Sequence, residues 1–289
     1  MLASFVRPLA IAAALTLAAA GKAVEHRGHC TVVPWMGGTA PTISVRVNGD
    51  GPFTFVVDTG AEGDAWIKPE LAARLHLPVA GKVPPDGPDD PEQDLRLFAG
   101  KTLQVGELTF LAPMFGEMLQ MGPKPQPFDG IIGSDLFARL QVVLDYRNRQ
   151  LQVTERSLKD GQAVTFDRGM PVVPLTIGKV RVLAHLDTGN IAGALFVEEA
   201  VGQVLPLAGP PQAKGKARTH YGEQSLMEAS LAARVRYGET ILPIDAVRWP
   251  PAIGISNLGS RGMRDMVARI DARARRLAIT PAGKPLACS

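Results

Sequence analysis

The chain has little net charge of either sign: 31 Lys and Arg against 28 Asp and Glu leave +3 over 289 residues. Losing Arg7 and Lys22 with a cleaved leader would lower that to +1. A balance so near neutral gives no electrostatic footprint for nucleic acid, and no such partner is expected. Aromatics are only 6% and long helical periodicity is scarce, while Gly (30) and Pro (24) are plentiful, so the fold reads as mostly β. No Gly-x-Ser-x-Gly elbow occurs, and Gly209, Gly215 and Lys216 are spaced wrongly for a phosphate loop. The histidines supply no convincing ligand set. His26-x-x-His29-Cys30 comes nearest, but it reads as part of a tail and lacks a fourth ligand, so no metal or other cofactor is expected.

Long apolar runs are also missing. Leu9–Ala20 covers twelve residues, against the roughly 20 a helix needs to cross a bilayer. With Arg7 before it and Ala18-Ala19-Ala20-Gly21 after it, the segment 1–23 reads as a secretory leader. Export to the periplasm or beyond follows, with no stable membrane span after cleavage; the alternative is an uncleaved anchor. Cys30 and Cys288 are the only cysteines. In an exported protein such a pair reads as a disulfide joining the two ends of the mature chain, and the alternative is two free thiols.

What the sequence does have is a duplication. Asp58-Thr59-Gly60 and Asp187-Thr188-Gly189 are 129 residues apart. Nine residues before each aspartate lies a turn glycine, Gly49 in Asn48-Gly49-Asp50 and Gly178 in Ile177-Gly178-Lys179. The β-forming runs Phe53–Val57 and Val180–Ala184 then read as strands leading to the aspartates. Downstream, Lys68–Leu77 and Phe196–Leu205 read as helices stopped by Pro78 and Pro206. Val105-Gly106-Glu107 matches Tyr237-Gly238-Glu239 at an offset of 132, and Ile132-Gly133-Ser134 through Val153 matches Leu258-Gly259-Ser260 through Ile279 at 126. A near-constant offset over the whole chain means two copies of one unit, 24–155 and 156–289, each of roughly 130 residues and large enough to bury a core.

Asp-Thr-Gly alone is a weak signal. Two copies, each preceded by the same strand and followed by the same Gly-Ser segment 72 to 75 residues later, are a strong one. The runs Gly51–Ala61, Phe128–Leu136 and Val142–Tyr146 resemble the retropepsin-like aspartic peptidases of bacteria, and the second half repeats that unit more loosely. The resemblance implies a bilobal, pepsin-like acid-protease fold in one polypeptide, a monomer acting on a peptide or protein substrate. By the same resemblance Asp58 and Asp187 form the catalytic dyad, Thr59 and Thr188 hydrogen-bond behind them, and Gly60 and Gly189 shape the turns. Ile132-Gly133 and Leu258-Gly259 form the loops beneath the pair. Two adjacent carboxylates cannot both ionise cheaply, so one proton is shared: the ionised member activates a water and the protonated one polarises the peptide carbonyl.

The second copy departs from this pattern in four places. Asn190 stands where the first has Ala61, Asn257 replaces Ile131, Arg261-Gly262 replaces Asp135-Leu136, and Ala272 replaces Tyr146. These departures leave a catalytically inactive peptide-binding protein of the same fold as the alternative reading. His185, two residues before Asp187, shares its strand face by period and is expected to turn aside at a sheet edge. The segments where this family places its flaps are acidic in the first copy (Asp86, Asp89, Asp90, Glu92, Asp94) and basic in the second (Lys214, Lys216, Arg218, His220). They read either as solvated loops or as charged covers that close the cleft on each other; Tyr221 is the candidate flap aromatic.

Overall fold

The computed structural model describes residues 24–83, 94–120, 126–219, 222–249 and 256–288. The leader 1–23 and the acidic residues Asp86, Asp89, Asp90 and Glu92 fall outside them, as do His220 and Tyr221. The fold is mostly β and is built from two ten-stranded sheets joined by a six-stranded one.

Each half starts with a hairpin. Thr42–Val47 pairs with Asp50–Val57 through a turn in which Asn48 and Gly49 both take positive φ (53° and 89°), the left-handed geometry that two-residue hairpins require. Alternate residues Ile43, Val45 and Val47 point into the core, with the polar ones between them outside, the period of two that a half-buried strand needs. Met170–Ile177 and Val180–Asp187 repeat this hairpin in the second half. In each, the aspartate-bearing strand gains a parallel neighbour from far along the chain. Gly130–Ile132 lies beside Asp50–Val57, and Ser256–Gly259 beside Val180–Asp187.

Both helices are shorter than their sequence pattern predicts. The first spans Pro69–Arg74 and closes with His76 at φ 51°. There the His76 N–H returns to the Ala73 carbonyl and the Leu77 N–H to that of Ala72, so a left-handed cap ends the helix before Pro78 is reached. The second is reduced to Glu199–Gly202, because Leu195–Phe196 is drawn into the sheet against Leu258 and Asn257.

The six-stranded sheet unites the halves. Its order is Gln162–Ala163, Arg276–Pro281, Met266–Asp271, Gln141–Asp145, Gln150–Thr154, Cys30–Pro34. At its centre the equivalent strands of the two copies pair antiparallel, with Val143 opposite Arg269. These two residues are counterparts at the 126-residue offset. A residue that pairs with its own repeat marks a local two-fold axis, and that axis puts like parts of the copies face to face. Asp145 and Asp271, fully buried at the ends of these strands, accept the N–H groups of the following turns and anchor the hairpins.

The presumed tail around His26 is sheet: Glu25–Arg27 pairs with Leu108–Leu111, and Cys30–Pro34 with Gln150–Thr154. His26 and His29 both contact Glu155, at 3.1 and 2.6 Å. Cys30 is bonded to Cys288 across a sequence separation of 258. Only Cys30 lies in a strand; Cys288 follows the last one, on a C-terminal segment that returns over the sheet through Leu286 N–H to Gln150 and the Gln152 amide to the Ala287 carbonyl.

Candidate active site

The two Asp-Thr-Gly turns meet on the two-fold axis. Each aspartate ends a strand whose neighbour holds the turn: Asp58 N–H donates to the Ile132 carbonyl at 2.9 Å, and Asp187 lies opposite Gly259. Gly133 follows the first of these neighbours and Gly259 ends the second. A Cβ on Gly259 would come within 2.6 Å of the Gly193 carbonyl, and one on Gly133 would run into that of Gly63, so only glycine lets these segments pass under the turns.

Behind the aspartates the threonines interlock. Thr59 N–H donates to Thr188 Oγ1 at 3.0 Å, and Thr188 N–H returns to Thr59 Oγ1 at 3.2 Å. Each hydroxyl then donates across the axis, Thr59 to the Leu186 carbonyl at 2.5 Å and Thr188 to that of Val57 at 2.6 Å. All four bonds are buried, so every donor here has a partner it could not replace with water.

Gly60 and Gly189 face the opposite carboxylates. A Cβ on Gly60 would sit 2.5 Å from Asp187 Cγ, and one on Gly189 would overlap the Asp58 carboxylate. With side chains excluded, Asp58 and Asp187 come within hydrogen-bonding contact of each other. Burial pushes the Asp58 carboxyl well above its usual range, and the Asp187 charge adds to that. The Gly60 and Gly189 N–H groups, both donating to Asp58 Oδ1 at 2.8 and 3.2 Å, work in the opposite direction.

Residues that depart from the duplicated pattern converge on Asp187. Asn257 Nδ2 donates to Asp187 Oδ2 at 2.6 Å, and Asn190 Nδ2 donates to Asn257 Oδ1 at 2.8 Å. Asn190 also gives its backbone N–H to Asp187 Oδ1 at 2.9 Å. The mismatch between the copies is the signal that could have found these residues: polar side chains at positions that are apolar in the first copy.

Tyr146 is a second such case. Ala272 at the equivalent position leaves the second copy without an aromatic, and Tyr146 reaches across the axis to Ser260 Oγ at 3.0 Å. Ser260 spends its own proton on the Thr188 carbonyl at 2.7 Å, so the tyrosine is the donor. Burial raises the Tyr146 hydroxyl far above its ordinary range, and it stays neutral beside the two aspartates. Its ring stacks edge-on against Trp35, centroids 5.2 Å apart.

His185 is buried on a central strand of its sheet, not at an edge, and its Nε2 faces Asp167 at 3.2 Å. The basic segment of the second half forms a hairpin of Gln212–Thr219 with Gly222–Ser230. Lys214 pairs there with Glu228 of the same hairpin, and Asp94 pairs with Lys82 of its own half. Each of these two pairs lies within one half. No group of three or more potential metal-ligating side chains occurs among the described residues, nor does any helix there have the length and apolarity to cross a membrane.

Residues 43–136 match the aspartyl protease family model. No curated protein matches the chain. Among solved structures the chain is similar to a retropepsin-like aspartic protease from Rickettsia conorii, at 17% identity and a TM-score of 0.32, the match covering 45% of this chain and 93% of that one. It is also similar to Basic 7S globulin from soybean, at 12% identity and a TM-score of 0.49, covering 87% and 94% respectively.

Proposed function

We infer that this chain is a retropepsin-like aspartic endopeptidase whose dyad is Asp58 and Asp187, a reading that the aspartyl protease match over residues 43–136 supports. One observation carries the reading: two carboxyls from duplicated turns touch across a two-fold axis, each pressed against the other copy's glycine. A like-charged pair at that separation holds one proton between its members. The ionised member draws a proton from a bound water, the water oxygen adds to the peptide carbonyl, and the protonated member supplies its proton to the carbonyl oxygen. Thr59 and Thr188 hold the turns rigid, and Gly60 and Gly189 allow the approach. Both units, 24–155 and 156–289, lie in one chain, so a monomer has a complete site. The Cys30–Cys288 bond supports export to an oxidising compartment, where such bonds persist.

The test is cleavage of a diverse peptide library from acid to neutral pH by the full mature chain, Asp58→Asn and Asp187→Asn. Cleavage by the parent, reduced by at least about 10³-fold in either variant, is the expected result. A well-folded parent that cuts nothing and still binds peptides would replace the peptidase with a binding protein.

A further inference from the structure

The two aspartates are geometric twins with different neighbours. Asp58 receives two backbone donors on one oxygen, Oδ1, and among the described residues no N–H donor reaches its Oδ2. Asp187 receives a fixed donor on each oxygen, Asn190 N–H on Oδ1 and Asn257 Nδ2 on Oδ2.

The direction of the side-chain bonds follows from a group that cannot reverse its role. The Ala192 backbone N–H can only donate, and it reaches Asn190 Oδ1 at 3.0 Å. That fixes the Asn190 amide with Nδ2 outward, toward Asn257 at 2.8 Å. Asn257 must then accept with Oδ1, and its Nδ2 is left to donate to Asp187. The relay has one polarity, and it ends on a carboxylate.

We propose that Asn257, oriented by Asn190, is a positioning residue that places the negative charge of the dyad on Asp187 and the shared proton on Asp58. The proposal rests on reading this pair as the peptidase dyad. An N–H donor to each carboxylate oxygen favours the charged form, whereas a carboxyl with one bare oxygen can hold a proton there. The upward push on Asp58 acts in the same sense. Other titratable groups nearby do not compete: the Tyr146 hydroxyl is committed to Ser260, and the His185 ring faces Asp167.

Roles follow with atoms in balance. Asp187 takes the water proton as the new C–O bond forms. The carbonyl π electrons move to oxygen, which takes the Asp58 proton, giving a neutral gem-diol. Asp187 then returns its proton to the amide nitrogen as the C–N bond breaks, and Asp58 recovers one from a gem-diol hydroxyl. The resting distribution is restored.

The experiment uses the full mature chain with Asn257→Leu, a near-isostere with no donor, and Asn190→Ala, which removes only the orienting partner. Carboxyl ¹³C NMR titration reads which aspartate carries the proton and needs no turnover. The pH profile of kcat/KM on a cleaved peptide reads the consequence. In the parent, the mid-pH proton is expected on Asp58. In Asn257→Leu the acid limb of the profile should rise by roughly one pH unit, the size expected when a charge-assisted hydrogen bond is lost. Asn190→Ala should shift it less, in the same direction. A parent that carries the proton on Asp187, or folded variants in which neither the lower titration step nor the acid limb moves, would overturn the proposal. A parent whose proton sits on Asp58 but which cuts no peptide would refute the peptidase reading while leaving the proton assignment intact.

Discussion

Around the dyad, the two halves share a backbone frame and differ in what surrounds it. Hairpin, Asp-Thr-Gly turn, parallel neighbour and following 3₁₀ turn recur in each. The first half sets Ala61 and Ile131 beside its aspartate, and the second sets Asn190 and Asn257 beside its own. The contrast extends outward, where Asp64, Asp135 and Tyr146 of the first half correspond to Ala194, Arg261 and Ala272 of the second. Duplication thus supplies two carboxyls in mirrored roles, and divergence of their neighbours makes the pair electrically unequal. With identical neighbours, a proton shared by the two carboxyls would have no preferred oxygen.

Breaking the symmetric part should cost most. Gly60→Ala and Gly189→Ala each drive a methyl into the opposite carboxylate, and displacing a reacting group by about 1 Å lowers kcat/KM by about 10²-fold or more. Equal losses in steady-state assays of the two variants would show that both halves contribute alike to the geometry. Cutting the Cys30–Cys288 bond with paired serine substitutions removes a closure spanning 258 residues. The expected loss is about 2–4 kcal/mol, read by urea unfolding.

The threonine interlock offers a finer comparison. Thr59→Val and Thr188→Val each strand buried partners, with an expected cost of about 1–3 kcal/mol apiece. A double-mutant cycle should show strong coupling, since each hydroxyl serves the other turn. Tyr146→Phe tests a contact with no counterpart in the second half. It removes one donor from Ser260, for about 1 kcal/mol of stability by the same unfolding assay.

The smallest effect concerns pH. Burial raises the Asp64 carboxyl, the Asp135 charge adds to this, and the Met114 N–H opposes it. An acid whose folded pKa lies above its unfolded one stabilises the fold while protonated. That contribution is present at acid pH and is lost as pH rises through the raised folded value. Asp64→Asn should therefore flatten the dependence of Tm on pH across the acid range, as followed by calorimetry. The equivalent Ala194 carries no such group, so this response belongs to the first half alone.

Much of this was legible in the residue string. The Asn48-Gly49 turn, the alternation of Ile43, Val45 and Val47, and the recurrence of Asp-Thr-Gly are local signals, each set by backbone sterics or strand period within a few residues. Helix ends were less legible, because the left-handed cap at His76 uses a residue that does not announce it and strand pairing captured Phe196. His185 was misplaced for a related reason: strand period gives a residue's face but not the position of its strand in the sheet. The site's supporting polar residues were visible only as irregularities. Asn257 lies 67 residues from Asn190 and 70 from Asp187, and nothing along the chain relates them.

The sequence by itself determined the duplication, the strands and the two aspartates, since chain-local sterics and hydrophobic period write these directly into residue order. Only the tertiary structure decided that Val143 meets its own repeat Arg269, that Tyr146 serves the other half, and that a one-way amide relay ends on Asp187. Hydrogen bonds across an axis depend on distances of about 3 Å between groups far apart in the chain, and those distances exist only once both cores have packed.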